Sequence, residues 1–234
     1  MKKFIFLFCV LFVSTQQVFA SNNILEEKYK ELADLVDKDI NFVKESVSKI
    51  ESNLTELQIV QQLIDEVNEN YLIIDNSNQN NQISLFTLGN ALTGAIFYYP
   101  AYTAGVNHGH VGIYVSNYEI AEAPGGNNTT QVIDAQYATM VEGQTDIYIV
   151  NAATTAQKNN AGSWARSIAN LNLPYNDAFW SNKYCKTTDY YNCSQLVWCA
   201  YKQTSNIDLD SNLGFGVYPS DIISSSSLTY ARTD

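Results

Sequence analysis

Two residues in the second half of the chain have side chains that could perform nucleophilic chemistry together, a cysteine and a histidine. Cys193 stands in the stretch YYNCSQLVWCAYK, residues 190–202, where a polar residue precedes an apolar helical pattern. In the first turn of a helix, the dipole and the unpaired backbone N–H groups favour a thiolate and could hold an oxyanion. The alternative interpretation is a buried thiol that only packs in the core.

His110 begins the alternating stretch HVGIYV, residues 110–115, which predicts a β-strand. Imidazole is the side chain best suited to proton transfer near neutral pH. His110, Gly112 and Tyr114 share one face of this strand, and we expect Gly112 to leave room for a closely packed element such as a helix end. The alternative is a strand-end histidine that bonds only to backbone.

A third polar group should orient the imidazole, and the next predicted strand offers two glutamates. A two-residue turn at 116–117 would pair Tyr114 with Glu119 and place Glu119 on the His110 face. One more loop residue would pair Gly112 with Glu122 and place Glu122 there instead. The pattern of residues leaves both possibilities open.

The cysteines also constrain one another. If residues 193–202 are helical, Cys193 and Cys199 lie about 9 Å apart along the helix axis, whereas a disulfide needs Cα atoms within roughly 7 Å. We therefore predict a disulfide between Cys185 and Cys199 that leaves Cys193 free, with three free thiols as the alternative. With only two histidines and no C-x-x-C spacing or nucleotide-binding fingerprint, we expect neither a metal site nor a cofactor.

The chain begins MKKFIFLFCVLFVSTQQVFA, in which two lysines precede a ten-residue apolar run. This pattern predicts a signal peptide, residues 1–20, and a secreted or periplasmic protein; an uncleaved anchor is the alternative. The apolar run is too short to span a membrane, so we expect no integral span after cleavage. Removing Lys2 and Lys3 changes the net charge from −11 to −13, which makes nucleic acid an unexpected partner.

Three further segments follow the leader. Residues 21–74 show helical periodicity without Pro or Gly, which predicts a helical hairpin with helices at 24–51 and 54–72 and Asn53 as the second N-cap; one continuous helix in a coiled coil is the alternative. We expect the hairpin to pack on its own chain or to dimerise. Residues 75–83 are a polar linker, and residues 84–234 form one domain.

The segment 84–234 alternates in hydrophobicity first and becomes helical later, which predicts an α+β domain with an antiparallel sheet packed on helices. Predicted strands cover residues 94–99, 110–115, 118–123, 130–134 and 146–150. Predicted helices cover about 155–171 and 193–204, and a short capped helix begins near Pro219 or Ser220.

Four stretches in this order resemble the NlpC/P60 superfamily of papain-like cysteine hydrolases, in its circularly permuted YiiX/YycO-like branch. They are GHVGIYVSNYEIAEAPGG (109–126), LPYNDAFW (173–180), YYNCSQLVWCAY (190–201) and VYPSDI (217–222). The resemblance implies a permuted papain-like sheet or partial barrel. The helical hairpin and the predicted disulfide have no counterpart in the minimal domain.

The resemblance also implies roles for residues. Cys193 would be the nucleophile, His110 the base and Glu122, rather than Glu119, the third member, while Tyr190 and Tyr191 would line the substrate cleft. The implied function is a secreted thiol hydrolase of amide bonds, such as those in peptidoglycan stem peptides. The alternatives are a thiol enzyme for lipid esters or acyl transfer, and a catalytically silent binding module.

Overall fold

The computed structural model describes residues 21–72, 85–103, 106–141, 145–185, 188–210 and 212–234. The expected leader with Cys9 and the expected linker at 75–83 lie outside these residues. The chain divides into two compact units, Met1–Val67 and Asn68–Asp234. In the described part, no helix combines the length and apolar character that crossing a membrane requires.

The N-terminal segment is helical, as its periodicity predicts, but it contains three helices instead of two. Helix α1 covers residues 21–36 of the described chain, α2 spans Ile40–Ser48, and α3 spans Glu56–Leu72. Within the first unit, the apolar positions at steps of three and four are buried; they include Leu32, Val43, Val60, Leu63 and Val67.

The predicted helix at 24–51 is interrupted at residues 37–39. Asp37 adopts a left-handed conformation with φ of 52°, and the backbone N–H of Lys38 donates to the carbonyl of Ala33. This pattern of bonds ends a helix as a Schellman motif. Asp39 then accepts hydrogen bonds from the backbone N–H groups of Asn41 and Phe42 and caps the next helix. Asp37 and Asp39 therefore break the helix here, although the apolar residues keep their helical spacing across the break.

The start of α3 also differs from the prediction of Asn53 as its N-cap. The backbone N–H of Thr55 donates to Oε1 of Gln58, and the backbone N–H of Gln58 donates to the hydroxyl of Thr55. Such reciprocal bonds form a capping box of the type T-x-x-Q. The sequence contains this pattern at Thr55, two residues after the predicted N-cap Asn53.

The second unit contains a six-stranded antiparallel sheet with the strand order β10-β9-β2-β5-β6-β7. Its strands are β2 (Ile96–Tyr99), β5 (His110–Tyr114), β6 (Glu119–Glu122), β7 (Gln131–Asp134), β9 (Asp146–Val150) and β10 (Leu228–Thr233). Two small antiparallel pairs accompany it: β1 (Leu85–Thr87) with β8 (Thr139–Val141), and β3 (Tyr102–Thr103) with β4 (Val106–Asn107). All five predicted strands are present, whereas the edge strand β10 and the small pairs were not predicted.

Helices α4 (Thr155–Ala169) and α5 (Cys193–Ser205) pack together on one face of this sheet, and the short helix α6 spans Pro219–Ser224. The core between helices and sheet contains Ile96, Val111 and Ile113 from the strands, and Ala161, Ala165, Leu196, Val197 and Tyr201 from the helices. A smaller apolar cluster around Phe97, Tyr114 and Ile147 covers the opposite face. The arrangement confirms the predicted α+β class.

Candidate active site

Cys193 is the first residue of helix α5, and a capping box holds it there. Oδ1 of Asn192 accepts from the backbone N–H of Gln195 at 2.9 Å, and Oε1 of Gln195 accepts from the backbone N–H of Asn192 at 3.3 Å. Nδ2 of Asn182 donates to the same Asn192 oxygen at 3.0 Å. These buried bonds fix the turn that presents the thiol.

Helix α5 packs on the face of β5 that carries Val111 and Ile113, and not on the face that His110 shares with Gly112. The expectation that Gly112 leaves room for a close-packed partner is confirmed, but this partner is the ring of Phe97 and not a helix end. A Cβ at Gly112 would meet the Phe97 ring at 2.4 Å, because Phe97 is the cross-strand partner of Gly112 and its ring occupies this space. Cys193 meets His110 because both residues begin their elements at the same end of the domain.

His110 is enclosed by aromatic rings and by a carboxylate. Its ring centroid lies 5.1 Å from that of Tyr99 and 5.9 Å from that of Phe97. Its Nε2 donates to Oε2 of Glu122 at 3.0 Å. This bond leaves Nδ1 as the nitrogen that can exchange a proton with the thiol of Cys193.

Glu122 reaches His110 because the turn between β5 and β6 is the longer of the two considered. Ile113 pairs with Ala121 and Tyr114 with Ile120, so Glu122 lies beside Gly112 and on the His110 face. Glu119 is not at the site. Its carboxylate binds Nη2 of Arg166 at 2.7 Å and accepts a hydrogen bond from the hydroxyl of Ser116.

The three groups form one hydrogen-bonded chain, because His110 also shares a side-chain hydrogen bond with Cys193. Each is almost fully buried, with 5% of Cys193, 5% of His110 and 6% of Glu122 exposed. Burial alone would raise the pKa of the Cys193 thiol, but the bond to His110 and the backbone N–H groups of Val111 and Ser194 lower it.

The pKa values of His110 and Glu122 both shift in the direction that favours the charged form of the side chain. Burial opposes the charged imidazolium, but hydrogen bonds to Cys193 and Glu122 raise the pKa of His110 well above its ordinary value. Burial also opposes the Glu122 carboxylate, but its bonds to His110 and Gln131 lower its pKa. These shifts favour a thiolate beside an imidazolium that a carboxylate supports.

Two residues at the site were not predicted. Tyr175 interacts with Cys193, and burial together with this interaction raises the pKa of Tyr175 well above its ordinary value; Nε2 of Gln131 donates to Oε1 of Glu122 at 2.8 Å. Tyr175 is held there because its segment pairs with residue Tyr191 just before the nucleophile. Tyr175 belongs to the quoted stretch LPYNDAFW, so the resemblance could have indicated it, whereas Gln131 carries no local signal.

The two tyrosines expected in the cleft have different environments. Tyr191 is fully buried, packs edge-on against Trp164 and donates its hydroxyl to the carbonyl of Cys185, so its predicted role as a cleft residue is wrong. Tyr190 is partly exposed, and its ring contacts that of Tyr184 with centroids 6.2 Å apart.

A disulfide joins Cys185 to Cys199, whose Cα atoms are 5.4 Å apart, and Cys193 is the free cysteine of the described residues. The disulfide fastens the segment before the nucleophile to the second turn of α5. Gln195 Nε2 donates to the carbonyl of Tyr184 beside it at 2.9 Å. Within the described ranges, no group of three or more His, Cys, Asp or Glu side chains could hold a metal ion.

An antiparallel sheet packed on helices, with a cysteine at a helix start and a preceding histidine at a strand start, defines a permuted papain-like protein. Residues 77–221 match the family described as permuted papain-like amidase enzyme, YaeF/YiiX, C92 family, and the chain belongs to this family. The wider superfamily name suggested by the sequence is a broader claim than this match supports.

One curated protein and one solved structure are similar to part of the chain. This chain is 38% identical over 140 residues to the uncharacterized protein YycO of Bacillus subtilis (strain 168). The aligned residues make up 60% of this chain and 55% of that protein. This chain thus spans little more than half of the relative's length. The crystal structure of metalloprotein yiiX from Escherichia coli O157:H7 aligns with a TM-score of 0.46 and 15% identity, over 62% of this chain and 98% of that one.

Proposed function

We propose that the protein is a thiol hydrolase that cleaves amide bonds with Cys193 as nucleophile, His110 as general base and acid, and Glu122 as the group that orients His110. The observation that carries this proposal is the buried hydrogen-bonded chain from Cys193 through His110 to Glu122. The family's description as amidases supports the reaction class.

In the first half of this reaction, the Cys193 thiolate attacks the amide carbonyl and forms a carbon–sulfur bond. The His110 imidazolium gives its proton to the leaving nitrogen as the carbon–nitrogen bond breaks, which leaves a thioester on Cys193. Glu122 stabilises the charged imidazole through Nε2 until that proton has left. We assign to the hydroxyl of Tyr175, which interacts with Cys193, the role of donor to the oxyanion that develops.

In the second half, a water molecule attacks the thioester. His110 accepts a proton from that water through the nitrogen that it had emptied, and the carbon–sulfur bond breaks to release a carboxylic acid and the thiolate. The low exposure of all three groups limits access of bulk water. A dry site strengthens each electrostatic contact within it, and it would also suit transfer of the acyl group to an acceptor other than water.

The proposed substrate is a peptide of unusual linkage, such as a peptidoglycan stem peptide, met after export. The apolar leader at residues 1–20 supports this setting. We propose further that the protein belongs to the NlpC/P60 superfamily, which four stretches of its sequence resemble. Acyl transfer to or from lipid esters is the second candidate, because the site is buried.

The test combines labelling with digestion. The chain without residues 1–20 is treated with iodoacetamide at pH 7, and the adduct is located by peptide mapping. The same protein and its Cys193→Ala variant are then incubated with peptidoglycan fragments and, separately, with lipid esters. We expect folded-state labelling of Cys193 and products from peptidoglycan that the variant does not form.

Three results would count against parts of this proposal. An unreactive Cys193 in the folded protein contradicts its role as nucleophile. Products from lipid esters alone select the second candidate. Identical products from the Cys193→Ala variant indicate that the chemistry lies elsewhere and favour a binding role for this domain.

A further inference from the structure

Glu122 has a second partner besides His110, and that partner is a neutral amide. We propose that Gln131 is a positioning residue, which holds Glu122 in the orientation and the ionised form by which it supports His110. This inference rests on the proposed function of Cys193, His110 and Glu122.

Each oxygen of the Glu122 carboxylate accepts a hydrogen bond from a different side chain. Oε2 accepts from Nε2 of His110 at 3.0 Å, and Oε1 accepts from Nε2 of Gln131 at 2.8 Å. Because the side chain of Glu122 is buried, an oxygen without a donor would carry a desolvation cost. Gln131 supplies that donor, and with both oxygens engaged the plane of the carboxylate is defined.

The neutrality of the amide is as important as its position. A lysine or arginine at residue 131 would attract the carboxylate charge toward itself and weaken the support that Glu122 gives to the imidazolium. The amide donates one hydrogen bond and adds no charge. The negative charge of Glu122 therefore remains available to His110.

The backbone holds Gln131 opposite Glu122. The two residues are direct partners in the β6–β7 pairing, so their side chains share a face. The preceding residue, Thr130, is fully buried; its N–H donates to the carbonyl of Leu173 at 2.7 Å and its hydroxyl donates to the carbonyl of Ala169 at 3.2 Å. The start of β7 is thus fastened to the end of α4.

The groups around Glu122 come from three strands: His110 on β5, Gln131 on β7, and Tyr99 on β2, whose hydroxyl interacts electrostatically with the carboxylate. If the amide is removed, the buried oxygen loses its donor and the carboxylate holds a proton more readily. The imidazolium then loses its counter-charge, and the thiolate of Cys193 forms only at higher pH.

The experiment measures the rate of Cys193 alkylation by iodoacetamide against pH in the folded protein. Gln131→Met keeps the length of the side chain and removes the donor, while Gln131→Asn keeps the amide and shortens its reach. For both variants, we expect the midpoint of the pH profile to rise by about half a unit or more. Gln136→Met is the matched control, since Gln136 donates to Asp134 at 3.0 Å on an exposed surface.

The outcomes distinguish this inference from the proposed function. A midpoint that stays at the wild-type pH in both variants overturns the role of Gln131, as does a rate that falls equally at every pH. A shift in either variant, with the Gln136→Met profile unchanged, supports it. If Cys193 of the wild-type protein reacts only after unfolding, this result contradicts the proposed function itself, independently of the results with the Gln131 variants.

Discussion

Nε2 of His110 lies 3.0 Å from Oε2 of Glu122, although the two residues belong to different strands and are separated by a turn. The bond requires the register that pairs Gly112 with Glu122. A turn one residue shorter would bring Glu119 to this face instead. The length of one loop therefore determines which carboxylate supports the imidazole.

Replacing Glu122 with glutamine tests that support. The variant Glu122→Gln keeps the shape of the side chain and removes its charge. A hydrogen bond to a charged group contributes roughly 1.5–3 kcal/mol, so we expect Cys193 alkylation at pH 7 and amide cleavage to slow by about ten-fold or more. The matched control is Glu119→Gln, which breaks a partly exposed pair with Arg166 and should retain the wild-type rate. Equal rates in both variants would contradict the role of Glu122.

The pH dependence of alkylation follows from the pKa directions at the site. The pKa of Cys193 is lowered, so its thiolate persists as the pH falls below the range in which ordinary cysteines ionise. We expect alkylation of the folded protein to decline at a lower pH than alkylation of the unfolded chain. In urea, where His110 no longer pairs with the thiol, the decline should occur at the pH of an ordinary cysteine. Coincident folded and unfolded profiles, measured by the rate of adduct formation, would show that no such pair forms.

Tyr175 interacts with Cys193 at the site, and we propose that its hydroxyl donates to the developing oxyanion. The variant Tyr175→Phe removes this hydroxyl and retains the ring. Loss of one hydrogen bond to a developing charge should slow amide cleavage by about ten-fold, while His110 continues to support alkylation of Cys193. Product release from peptidoglycan fragments measures the effect. Tyr137→Phe, at a tyrosine that is 74% exposed, is the control, and equal activity of the two variants would exclude the role.

The Cys185–Cys199 disulfide closes a short loop, with 14 residues of sequence separation. For a loop of this size, chain entropy predicts a stabilisation of about 3 kcal/mol. We expect the double variant Cys185→Ser, Cys199→Ser to lose a comparable part of its free energy of unfolding, measured by urea titration at neutral pH. A free energy equal to that of the oxidised wild type would mean that the segment before Cys193 needs no cross-link.

Much of the site could be predicted because its parts depend on local patterns. The capping box of Asn192 and Gln195 and the apolar stripe that follows place Cys193 at a helix start. The alternation in HVGIYV places His110 at a strand start. The rise of a helix places Cys193 and Cys199 too far apart for a disulfide between them. Each of these inferences needs only neighbouring residues and elementary geometry.

The errors have different causes. The break after α1 depends on Asp37 adopting a left-handed conformation and Asp39 serving as a cap, and an unbroken apolar period concealed both. The position of Tyr191 near the nucleophile in the sequence predicts a cleft residue. Its side chain turns into the core instead, since adjacent residues in an extended segment point in opposite directions.

The sequence by itself determined the start of α5, the strand that carries His110 and the α+β class, because these follow from residue spacing within short segments. Only the tertiary structure decided that α5 packs on the strand face opposite His110, that Glu122 and not Glu119 meets the imidazole, and that Gln131 and Tyr175 complete the site. These contacts join residues far apart in the chain. Their formation depends on strand register and on packing between elements, which no local pattern specifies.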